Sequence, residues 1–264
     1  MNNKTRAHSA TIFFKLLGTR LQIASHQLRA KLVNIQIWSI CTLVIFGHVM
    51  QTFGLAGDFG LFQLAGIIAT AGLFENYSNI ATIIMDFAGE RSIGYYLTLP
   101  VQPSVVLFSS ACAYATIGTL LSLSMLVVGK ILFFASFNLA AVAWCKLIAI
   151  TVLSNLFYGM LALAIAAHVG KVAKIGNVWS RFIFPLWFLG GFQFSWAAMH
   201  KAWPPLAYGL LANPITYIME GTRAALLGQQ DFFSWWTCMG MLTLFTLACW
   251  CAVYNRMKKQ LDFV

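Results

Sequence analysis

Long apolar runs, separated by short clusters of polar and turn-forming residues, organise this chain. Six of them stand out: Leu32–Phe53, Phe59–Met85, Ser104–Val128, Ala140–Val169, Ile175–Trp196 and Phe232–Tyr254. About 20 apolar residues cross the hydrocarbon of a bilayer as a helix, and lipid cannot satisfy open backbone groups. Each run is therefore predicted to be a transmembrane helix, which makes the fold an all-α membrane protein with six spans. Glu75 and Lys146 put a charge inside a span.

The segment 1–31 has a different texture. Phe13, Leu17, Leu21, Ala24, Leu28 and Leu32 recur at helical spacing, while Lys15, Arg20, Gln22, His26, Gln27 and Arg29 fill the other faces. This pattern predicts an amphipathic helix lying in the inner interface, either as an anchor or as a lever to a cytoplasmic partner. After the second span, "DFAGERSIGYYLTLPVQP" covers 86–103 and is longer than a simple helix connection requires. Asp86, Glu90 and Arg91 open it, Tyr95 and Tyr96 sit on a possible two-turn helix, and Pro100 and Pro103 close it. A short helix with aromatic anchors suits a groove on a soluble domain.

The fifth run carries Pro185 and the pair Gly190-Gly191, which allow a bend or a close helix approach. The stretch 199–230 then holds two helices too short to span, with Trp203, Tyr208 and Tyr217 suited to the headgroup level. In "NPITYIMEGTRAALLG", Asn213 is a natural N-cap, Pro214 a first helical residue and Gly228 a stop. Glu220 and Arg223 are three apart and can pair on one face. The segment is predicted to be an external re-entrant helix capping the bundle, with Asn213, Pro214, Tyr217, Glu220 and Arg223 forming a gate.

Composition agrees with the membrane reading. The chain of 264 residues is 60% hydrophobic and 9% charged, with a mean hydropathy of +0.77; soluble domains carry about 25% charged residues. Of the 17 Lys and Arg, most flank the N-terminus, the 86–103 loop, the 170–181 loop and the C-terminus. The positive-inside rule places those segments in the cytoplasm. The domain reading is an interface helix over 1–31, a membrane domain over 32–254 and a cytoplasmic tail over 255–264. The net charge of +10 thus reports topology, and its scatter over flanking loops argues against nucleic acid as a partner. The six cysteines form no CxxC pair, the five histidines lack metal-ligand spacing, and no P-loop, HExxH or GxSxG occurs. No cofactor or metal site of its own is expected. Glu75, deep in a span, is a candidate for function or for local structure with Asn76 and Tyr77.

The "FPLWFLGG" bend, the proline-containing rim and the Asn-Pro-x-x-Tyr-x-x-Glu-x-x-Arg pattern at 213–223 resemble the ABC-2 type permeases, the membrane subunits of type V exporters. The resemblance covers nearly the whole chain. It implies a coupling role for 86–103, an ABC ATPase partner that carries ATP and Mg on its own chain, a second permease copy, and a place in the cell inner membrane. Where related loops carry an acidic residue before a Pro-Val turn, this one has "IGYYLTLPVQP". An amphiphilic or lipid-like substrate is expected, a lipid-linked polysaccharide being one alternative. A proton-coupled carrier using Glu75 is another.

Overall fold

The computed structural model describes residues 3–85, 102–169 and 172–261, and every regular element among them is helical. Helix α1 (Asn3–Val44) continues through a π turn, Ile45–Val49, and a 3-10 turn, Met50–Phe53, to Gly54. Three long helices follow: α2 (Phe59–Met85), α3 (Pro103–Leu132) and α4 (Trp144–Val169). The run α5 (Ile175–Phe192) alternates α-helical pieces with π turns at Trp179–Ile183 and Phe188–Phe192. After it come α6 (Trp196–Ala202), α7 (Pro204–Gly209), α8 (Pro214–Leu226) and α9 (Trp235–Leu261).

Among the described residues, α1, α2, α3, α4 and α9 are each long and apolar enough to cross a membrane. A sixth candidate, the fifth run in chain order, is a bent helix pair. Instead of a continuous helix over Ile175–Trp196, α5 stops at Phe192 and the chain turns by 88° into α6. A second difference lies at the N-terminus. The sequence predicts a separate interface helix over 1–31, but α1 passes through Leu32 without a break. No proline and only Gly18 interrupt its helical propensity. It also packs along α3 over most of its length: the Phe13 and Phe108 rings stack at 5.9 Å, and Gln36 Nε2 donates to Ser124 Oγ at 2.8 Å. Polar and apolar segments therefore share one axis.

The interior is built on α2, α4 and α8, with α3 and α9 against them. Close approach of three spans depends on small residues. Asn155 of α4 fills the space that a side chain at Gly72 of α2 or Gly118 of α3 would need. Its Nδ2 donates to the Thr151 carbonyl at 2.8 Å and to Ser122 Oγ at 3.3 Å. Polar side chains between spans hold helices together because lipid offers no alternative partner.

Candidate functional site

The bend between α5 and α6 is written into the local sequence. Pro185 cannot donate a backbone hydrogen bond, and π turns widen the helix on both sides of Phe184–Trp187. Gly191 then adopts φ 95° and ψ 27°, a left-handed conformation that glycine reaches at little cost. Ser195 restarts the helix as N-cap, its Oγ accepting from the Ala198 N–H at 3.2 Å. Such a break leaves open carbonyls at the end of α5 and open N–H groups at the start of α6.

Helix α8 brings two ions to those groups. Asn213 Oδ1 accepts from the Ile215 N–H at 3.0 Å, as expected of an N-cap, and Asn213 Nδ2 donates to the Leu186 carbonyl at 2.7 Å, which ties the start of α8 to α5. About two and three turns further on, Glu220 and Arg223 face the break. The Arg223 guanidinium donates to the carbonyls of Gly191 (2.7 Å), Phe192 (3.2 Å) and Phe194 (3.1 Å), with Cζ 3.5 Å above the Phe62 ring. Glu220 accepts from the N–H of Trp196 at 2.9 Å and of Phe233 at 3.3 Å. The cation thus meets the negative end of α5, and the anion the positive start of α6. The closest approach between the two ions is 3.9 Å, so the pair acts mainly through the backbone it clasps. Burial raises the Glu220 carboxyl above its ordinary range; the Trp196 N–H, Arg223 and the Phe233 N–H pull it back.

This geometry corrects the surface reading of 213–228. All 13 residues of α8 are buried, Arg223 completely. Tyr217 lies inside the bundle, its hydroxyl donating to the Leu211 carbonyl at 2.9 Å, rather than at headgroups. The polar face that hydropathy assigns to water is spent on backbone groups, and α2, α4, α5 and α9 cover the helix. Gly228, at φ 109°, does follow the end of α8, while Trp203 and Tyr208 are exposed. Gly190 is packed against Ile215.

The intramembrane acid also has a partner that local sequence does not show. Glu75 pairs with Lys31 of α1 at 2.5 Å and accepts from Asn79 Nδ2 at 3.2 Å. Its neighbours turn elsewhere: Asn76 donates to the Gly72 carbonyl and Tyr77 to the Ile175 carbonyl. Lys146 is exposed in the first turn of α4. Asp86, Glu90, Arg91, Tyr95, Tyr96 and Pro100 lie outside the described residues, and Pro103 is the first residue of α3. Among the described residues, no group of three or more His, Cys, Asp or Glu could hold a metal ion.

Two further features escape a reading of the sequence. Gln63 of α2 is buried and donates to Gln193 Oε1 at 2.6 Å, tying α2 to the bend; a polar residue inside a span is its one signal. Trp38, Phe74, Trp187 and Phe192 form a linked aromatic face across α1, α2 and α5, with ring centroids 4.7–6.2 Å apart. Above the clasp opens a cavity of about 840 Å³, walled by Asp58, Phe62, Gln193, Phe194, Gln229 and Asp231 among others.

Comparison with known proteins adds one finding. The sequence model described as ABC-2 type transporter matches residues 16–227, well over half of the chain. No curated protein matches it.

Proposed function

Since this chain belongs to the ABC-2 type transporter family, we propose that it forms the membrane pathway of an exporter driven by ATP hydrolysis on a separate chain. Membership makes it a transmembrane permease component of an ABC transporter. The finer reading is that two copies enclose a route for an amphiphilic or lipid-like molecule, and that Mg and ATP bind the partner ATPase. The loop 86–103 couples that ATPase to the bundle, the termini face the cytoplasm, and the membrane is the cell inner membrane.

The observation that carries this reading is the clasped bend of α5 beside a face of aromatic rings. A rigid span would give the aromatic face one setting. A span broken at Gly191 and held by Glu220 and Arg223 has a point at which two arrangements can interchange, as alternating access needs. The carrier reading is less well supported, because Glu75 is engaged in an ion pair with Lys31 of α1 instead of standing unpaired in its span.

Purification from native membranes, followed by reconstitution, tests the proposal. A P-loop ATPase should co-purify, and an amphiphile should move across the vesicle membrane only with ATP. Trp38→Ala and Trp187→Ala should lower that flux with little change in thermal stability. Transport driven by a proton gradient without ATP, and abolished by Glu75→Gln, would refute it.

A further inference from the structure

We infer that a furrow between α1, α2 and α4's neighbour α3 binds the headgroup of a zwitterionic aminophospholipid. It is a cavity of about 330 Å³ bounded by Arg20, Gln27 and Lys31 of α1, Glu75 and Asn79 of α2, and Tyr114 of α3. Residues 20, 24, 27 and 31 share one face of α1, and 75, 79 and 82 one face of α2. Two polar stripes therefore face each other across a seam between membrane helices. Arg20 to Lys31 covers about 16 Å of helix and Met85 to Glu75 about 15 Å. The furrow thus runs about 15 Å from the basic end of the bundle to the Lys31–Glu75 pair, where the apolar run Leu32–Phe53 begins.

Polar side chains in a seam between membrane helices are costly unless they meet a partner. The furrow ends on the Lys31–Glu75 pair, and a second cavity of about 380 Å³, with Trp38 and Phe74 in its wall, opens on the other side of the same two residues. An ion pair standing between two cavities is poised to exchange partners. A ligand of one charge would leave the other residue's charge unpaired in low dielectric. A ligand carrying both charges avoids this: its phosphate meets Lys31 while its ammonium meets Glu75. The volume suits a headgroup, and Ile35, Trp38 and Phe74 in the wall of the second cavity give an apolar surface beyond the pair, where acyl chains would enter the lipid.

The site does not depend on the transport reading, and its test uses no ATPase. The full-length chain in detergent is titrated with phosphatidylethanolamine and, separately, phosphatidylglycerol, and retained lipid is counted by native mass spectrometry. Phosphatidylethanolamine should bind about tenfold more tightly, the effect of one charge-assisted hydrogen bond. In Lys31→Gln/Glu75→Gln, which leaves no unpaired charge, this preference should vanish. Equal retention of the two lipids by the unmodified chain overturns the proposal, whether or not the double variant folds. An unchanged preference in a folded double variant does so as well. Displacement of the lipid by an equal concentration of glycerophosphoethanolamine would make a soluble phosphate ester the ligand and overturn the lipid assignment; resistance to it supports a membrane source.

Discussion

The clasp at the bend distinguishes two accounts of Glu220 and Arg223, and conservative substitutions separate them. If the ion pair itself matters most, Arg223→Lys should be mild and Glu220→Gln severe. The structure gives the opposite order. A lysine ammonium keeps the charge but cannot reach three carbonyls or stack flat on Phe62. Leaving two buried carbonyls unsatisfied costs about 1–3 kcal/mol each, and a weakened ring contact adds about 1 kcal/mol. The loss is therefore about 3–7 kcal/mol. Glu220→Gln keeps an oxygen for the Trp196 N–H and gives up an attraction across 3.9 Å. That attraction is about 4 kcal/mol at an effective dielectric of 20, but relief of carboxylate desolvation returns several kcal/mol. The net cost is about 1–2 kcal/mol. Thermal unfolding of the purified chain in one detergent, followed by tryptophan fluorescence, reads the difference. At roughly 2–4 °C per kcal/mol, Arg223→Lys should melt on the order of 10 °C lower and Glu220→Gln about 4 °C lower. A Glu220→Gln midpoint below that of Arg223→Lys would refute the reasoning.

Gly72→Ala should collide with Asn155 and reduce the monodisperse fraction on size exclusion, and adding Asn155→Ala should recover part of it; no recovery would contradict the three-helix contact. Gly191→Ala should cost about 1–2 kcal/mol for its left-handed backbone, whereas Gly176→Ala, with open space around it, should be neutral or slightly stabilising in the same melt. In intact cells an impermeant thiol reagent should label Tyr208→Cys and leave Thr222→Cys unlabelled, since the first site is exposed and the second fully buried; labelling at Thr222 would contradict the burial of α8. Tyr95→Ala/Tyr96→Ala should weaken retention of a co-purifying ATPase, and full retention with normal transport would rule out 86–103 as the coupling element.

What the sequence determined by itself was local or compositional. Apolar runs of about 20 residues require helices in lipid, which fixes the class and the approximate spans. Asn213-Pro214 and Gly228 bound α8 through the chemistry of three residues, and Pro185 with Gly190-Gly191 marked the weak point of α5. Hydropathy could not say how those pieces meet. A polar face on a short helix reads the same whether it meets water or the open backbone of a neighbour, so the sequence of α8 suits a rim helix although α5 and α6 end on it. Lys31 and Glu75 are 44 positions apart, and only the antiparallel packing of α1 and α2 makes them a pair. Asn155 likewise found its place in a gap left by glycines on two other helices. Local propensity sets where helices begin and end; which buried polar groups satisfy each other is decided by three-dimensional proximity, and that came only from the tertiary structure.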